Sequence, residues 1–185
     1  MKAFVIIVVL VAVLAATGAL KFEFFAGTVS TGPPPAVRDA FAIADAAGST
    51  DGDEAASSVY ELLDVATKAG TARGALLIHQ QLPALAARID AAVPIAHERL
   101  LGVDLRTSVG RKCRVAVLRL IAQEQWLFRT FDDEVARNRS TSRAVDRFTA
   151  RWQALGRWWA AQVTACSAGA GPGERADVEG AMHSL

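Results

Sequence analysis

The chain has little from which to build a metal centre or a familiar catalytic site. It carries two cysteines and three histidines. His79 and His97 are 18 residues apart, five turns of helix, so on a straight helix they share a face but stand about 27 Å apart and cannot hold one ion. His183 sits in a glycine-rich tail. If Cys113 and Cys166 pair with each other, no Cys/His set at metal-ligand spacing is left, and no metal or cofactor is expected. The acidic run Asp51, Asp53, Glu54 fails the calcium-loop pattern, because the twelfth position counted from Asp51 is Leu62 rather than a glutamate. Those acids suit a helix N-terminus instead. There is no Gly-x-Ser-x-Gly elbow, no His-Glu-x-x-His, no phosphate-cradling glycine loop and no Cys-x-x-Cys. An active site is therefore not expected, although Arg and Glu from different helices can assemble one without a linear motif.

Charge of one sign is also lacking. Twenty Lys and Arg face 19 Asp and Glu, a formal net charge of +1, which removes the strong basic field of a nucleic-acid binder. No nucleic-acid partner is expected. Short alternating runs of β-branched and aromatic residues are missing after residue 35, so strands are not expected either.

What is present begins with an apolar run. Ala3 to Leu20 is 18 residues without a charge, about 27 Å of helix at 1.5 Å per residue, close to the roughly 30 Å of a bilayer core. Residues 1–20 read as an uncleaved signal anchor with the Lys2 end cytoplasmic. The rival is a signal peptide cut after Ala19, at the small-x-small sequence Thr17-Gly18-Ala19. No cysteine follows the run, so a lipoprotein anchor is unsupported. Residues 21–35 form a juxtamembrane segment and a spacer ending in Pro33-Pro34-Pro35, which favours stiff extended chain. Residues 36–167 read as one helical domain, and the glycine-rich segment 168–185 as a disordered tail.

Within 36–167 the apolar spacing is helical throughout. A short helix covers Ala36 to Ala47. Glu54 to Ala69 presents Val59, Leu62, Leu63 and Ala66 and stops at Gly70. Thr71 to Leu101 presents Ile78, Leu82, Leu85, Ile89, Val93, Ala96 and Leu100, with Pro83 and Pro94 expected to kink or break it. The expected fold class is all-α: an up-down bundle of about four main helices plus a short leading one, an N-terminal hydrophobic helix and one disulfide.

The organising stretch is Thr107 to Cys166. Its first half lines up Val109, Cys113, Val117, Leu120, Ile121, Leu127, Phe128, Phe131 and Val135; its second lines up Val145, Phe148, Trp152, Leu155, Trp159, Val163 and Cys166. The polar link Asn138-Arg139-Ser140-Thr141 is short, so the halves should lie antiparallel. Positions 113 and 166 are equidistant from the point between Arg139 and Ser140, and both sit on apolar stripes. A Cys113–Cys166 disulfide follows, closing a loop worth roughly 4 kcal/mol in the chain-entropy account; two buried free thiols are the alternative. A disulfide persists only in an oxidising compartment, which places the body outside the cytoplasm.

Two polar features stand out. Glu124 interrupts the stripe of Val117, Ile121, Phe128 and Phe131, where a carboxylate must find a donor, shift its pKa or face a cavity. The register places it level with Leu155, near Trp152 and Trp159, with an indole N–H or the fork of Arg151 as its donor. It reads either as a structural group that fixes register or as a ligand-gripping or proton-handling acid. Arg139, Arg143, Arg147 and Arg151 recur at i+4 as a basic ridge. Beside Asp132, Asp133, Glu134 and Asp146 the ridge reads as a salt-bridged solvent face, although an anionic or acidic partner would also suit it. The expected function is a non-catalytic extracytoplasmic binding or interaction module. Its partners are the membrane, through residues 3–20 if uncleaved, and a protein of the cell envelope. The alternative is a small secreted all-α enzyme or ligand sensor around Glu124.

Overall fold

The computed structural model describes residues 32–48, 50–137 and 140–185, without the side chains of Thr50 and Asp51. Every regular element among the described residues is a helix: α1 Pro35–Ala47, α2 Thr50–Ala69, α3 Thr71–Gly102, α4 Ser108–Arg137, α5 Thr141–Ser167 and α6 Arg175–His183. Pro33 to Leu185 forms one compact unit. The expected anchor at 1–20, the spacer up to residue 31, and Arg139 lie outside the described residues. No described helix is long and apolar enough to cross a membrane.

Proline opens α1 at a position whose N–H has no helical partner in any case. The helix buries Val37, Ala40 and Ile43. It also buries Asp39, whose carboxylate accepts from the backbone N–H groups of Arg106 (3.2 Å) and Thr107 (2.8 Å) and from the Thr107 hydroxyl (2.6 Å). Thr107 Oγ1 in turn accepts from Gly110 N at 2.9 Å. Thr107 thus caps the start of α4 locally, and a carboxylate from a distant helix completes the arrangement.

In α2, Ala55, Val59, Leu62 and Ala66 are buried. The chain reverses through the single residue Gly70, at φ +83°, a conformation that costs a side-chain-bearing residue dearly. One turn later Gly74 lies against the backbone carbonyl of Ala66, where a Cβ has no room. The α2–α3 contact is thus a close approach of small residues at its tip, and Arg88 reaches Glu54 at 3.4 Å near the other end.

Helix α3 continues unbroken through Pro83 and Pro94, so of the expected kinks or break the break does not occur. Both prolines lie on its solvent side, so the carbonyls they release four residues back can turn to water and the buried face stays regular. Asp90 of α3 accepts from Arg129 Nε (2.6 Å) and Gln125 Nε2 (3.0 Å) of α4.

Helices α4 and α5 carry the large side chains. Phe128, Phe131, Phe148 and Val163 are essentially excluded from solvent. Phe148 stacks on Phe131 with ring centroids 4.5 Å apart and also meets Phe128 and Trp152. Cys113 and Cys166 are bonded, with Cα atoms 5.0 Å apart. Ser140 makes no side-chain cap to α5.

The segment 168–185 is not a disordered tail. After the turn at 168–174, α6 buries Val178, Ala181 and Met182 and packs on α1 and α5. Its Glu179 accepts a 2.7 Å hydrogen bond from the buried hydroxyl of Ser167. The glycines cluster at 169, 171 and 173, and average composition hid the apolar triplet beyond them, spaced for one helix face.

Candidate functional site

Glu124 shares an azimuth on α4 with Val117, Phe128 and Phe131, so the helix that builds the core also turns this carboxyl inward. It is half-buried. Asp53 and Tyr60 are its electrostatic neighbours, and Tyr60 stands edge-on to Trp152 of α5 with centroids 5.2 Å apart. Its carboxylate makes no hydrogen bond within the described residues, so the expected donor is not supplied. Burial, and then the nearby charge of Asp53, push Glu124 up to about 7 from an ordinary value of 4.5. The Tyr60 phenol is pushed up by burial and by Glu124. A carboxyl in such surroundings gains and loses its proton near neutrality, and when ionised it offers a negative charge beside aromatic faces.

Arg151 goes elsewhere. Its Nη1 donates to Glu134 Oε1 at 3.0 Å while Arg147 Nε donates to Glu134 Oε2 at 2.8 Å. The Arg147 and Arg151 hydrogen bonds hold Glu134 below the usual carboxylate range, against the opposing effect of burial. The Arg151 guanidinium also stands 5.6 Å over the Trp126 ring. The expected basic ridge therefore divides: Arg147 and Arg151 clasp one carboxylate, Arg143 is exposed, and Arg139 lies outside the described residues. The indole Nε1 of Trp159 is buried and has no hydrogen-bond partner among the described residues, so it does not serve Glu124 either. Of the residues expected around Glu124, Trp152 belongs to the same aromatic cluster; Arg151 and the Trp159 N–H are committed or silent.

Two further features were missed from the sequence. Tyr60 and Asp53 on α2 were not foreseen beside Glu124. Tyr60 is the only tyrosine in the chain, and its position directly after core residue Val59 was the available signal. A groove of about 460 Å³ along the outer α4–α5 seam was also missed, lined by Trp126, Leu127, Arg151, Leu155 and Trp158 among others. Trp126, two positions after Glu124, falls on the opposite side of α4 and is 58% exposed. At the α2–α3 tip a largely apolar cleft of about 490 Å³ also includes Thr67, Thr71, Thr141 and Asp146, with Thr141 Oγ1 3.4 Å from His79 Nε2. No group of three or more His, Cys, Asp or Glu able to hold a metal occurs among the described residues.

No known protein family, curated protein or solved structure matches this chain.

Proposed function

We propose that the chain is a non-catalytic helical interaction module displayed outside the cytoplasm, tethered to the membrane through residues 3–20 or exported if cut after Ala19, with a protein of the cell envelope as its partner. The observation that carries this reading is the Cys113–Cys166 disulfide, because such a bond endures where thiols are not kept reduced. The 18-residue uncharged run supplies the route across the membrane.

In this reading α2 to α5 form an up-down-up-down four-helix bundle, with α1 and α6 closing one end. Support comes from pairs that join successive helices, Glu54 with Arg88 and Asp90 with Arg129, and from the disulfide that matches Cys113 near the start of α4 with Cys166 near the end of α5. Short connections between neighbours fit the same topology.

A second reading, a ligand sensor or small enzyme around Glu124, is favoured by one observation: a carboxyl near 7 without a hydrogen bond beside Tyr60. In that case a cationic ligand or a proton is what the site takes.

Fractionation with mass spectrometry of the native N-terminus tests the main reading. Full-length protein in the membrane fraction supports the tether. A product beginning at Leu20 replaces the tether with export, and a soluble full-length protein in the cytoplasm refutes the reading altogether.

A further inference from the structure

Charge is distributed unevenly along this nearly neutral chain. Residues 108–131 and 147–167 together contain eight Arg or Lys and one acid, the inward-facing Glu124, which leaves 12 basic against 18 acidic residues elsewhere. The excess positive charge belongs to the two helices that also carry all four tryptophans.

On the solvent side of α4, Lys112, Val115, Arg119 and Trp126 recur at steps of three, four and seven, which places them on one face. All four are exposed. Neither Lys112 nor Arg119 joins a hydrogen bond or ion pair in the described structure. Across the groove, Arg151 and Trp158 of α5 form the facing wall. Arg151 covers the Trp126 ring, so an indole and a guanidinium are presented side by side. Glu134 closes the far end of the seam by holding Arg147 and Arg151.

We infer that this outer α4–α5 seam docks the bundle on an anionic lipid surface, with Trp126 and Trp158 at the headgroup level and Lys112 and Arg119 against lipid phosphates. Charge complementarity selects the occupant. Two cations alternating with a valine and an indole along one helix face fit an interfacial helix, in which basic residues are drawn to an anionic leaflet and tryptophan prefers the boundary between tails and water. An acidic protein partner would also meet the charge, but it would be expected to cover a central apolar patch with charges pushed to the rim. Here the charges lie between the apolar residues. The inference deepens the interaction-module reading, and the two fail separately: the native N-terminus and cysteine state report the compartment, whereas the seam is read in purified vesicles.

The tryptophans provide the assay. None lies before residue 126, so quenching of indole emission by brominated lipid reports the body of the full-length protein even when its N-terminal run is inserted. Full-length protein is reconstituted into phosphatidylcholine vesicles with and without phosphatidylglycerol. The expected result is quenching and a blue shift in the anionic vesicles only, lost at high salt. Lys112→Glu with Arg119→Glu should return the signal to the neutral-vesicle level while helicity and melting stay unchanged. Trp126→Phe should remove part of the quenching and leave the remainder to Trp158, and Trp126→Phe with Trp158→Phe should abolish it, because Trp152 and Trp159 face the core.

Equal quenching in both vesicle types, or none in the anionic ones, would overturn the inference. So would quenching that survives the double charge reversal. Emission that ignores anionic vesicles but shifts on adding an acidic polyglutamate peptide would assign the seam to an acidic protein and overturn the lipid reading.

Discussion

The α2–α3 pair and the α4–α5 pair are both antiparallel helix contacts, yet they are held by opposite means. Gly74, Ala86, Ala92 and Ala96 contribute to the buried face of α3, and the backbones approach until Gly74 touches the Ala66 carbonyl. Across α4–α5 the space is filled by phenylalanine and tryptophan rings and closed by a disulfide. At its tip the first pair has no room to spare, although Ile78, Leu82 and Leu100 fill the rest of the buried α3 face. The second is rich in volume and constrained covalently. The two pairs should therefore fail to opposite substitutions, the first to enlargement and the second to truncation.

Truncation should give the largest effect. Phe148 contacts Phe128, Phe131 and Trp152, and Phe148→Ala is expected to cost about 3–5 kcal/mol, read by urea unfolding with the disulfide intact. A loss under about 1 kcal/mol would mean that the cross-link, rather than ring packing, defines this pair.

The second prediction tests the place where the pairs meet, since Glu124 of α4 faces Asp53 and Tyr60 of α2. Its pKa is raised in the folded chain to about 7 from 4.5. A raised carboxyl contributes stability that is complete below the unfolded value and is lost as pH climbs through the folded one. The native protein should therefore be less stable at pH 8 than at pH 5 by at most about 3 kcal/mol from this group. Glu124→Gln should flatten that part of the profile and stabilise the protein at pH 8. Parallel pH profiles for the two proteins would show that the carboxyl is solvated.

Enlargement comes third. Gly74→Ala gains helix propensity of up to about 1 kcal/mol, but its new methyl meets the Ala66 backbone, which cannot swing away. A net loss of about 2 kcal/mol in chemical unfolding is expected. Neutral or raised stability would show that the α2–α3 tip has slack and would weaken the comparison.

Asp39 belongs to neither pair, and it tests how α1 is attached to the start of α4. Asp39→Ala removes the acceptor for Arg106 N, Thr107 N and the Thr107 hydroxyl. A cost of about 1–2 kcal/mol is expected, with Asp39→Asn recovering part of it. Thermal melts of the two variants check it; equal melting of Asp39→Ala and the parent would reduce the contact to decoration.

The same contrast explains which features could be read from the sequence. The α4–α5 hairpin was legible because large residues repeat at helical spacing on both halves and the cysteines are equidistant from one short polar link. The inward turn of Glu124 was legible from its azimuth. Its neighbours were not, because a helical wheel shows that a residue faces the core but not which helix arrives there; α2 brings Asp53 and Tyr60, and Arg151 turns to Glu134. Gly74 gave no signal of its own, since a close approach is a property of two backbones. The prolines of α3 do not break the helix, because their cost depends on which face they occupy. Glycines at 169, 171 and 173 obscured the short apolar helix that follows them.

The measurement that bears most directly on the account is the state of the two cysteines in protein taken from its native cells. Acid quenching in intact cells, alkylation without reductant and peptide mass spectrometry read that state without letting thiols reshuffle. A linked peptide pair containing Cys113 and Cys166 is expected, with alkylation only after reduction. Recovery of both cysteines as alkylated free thiols would contradict the clamp on α4–α5 and the extracytoplasmic location that rests on it.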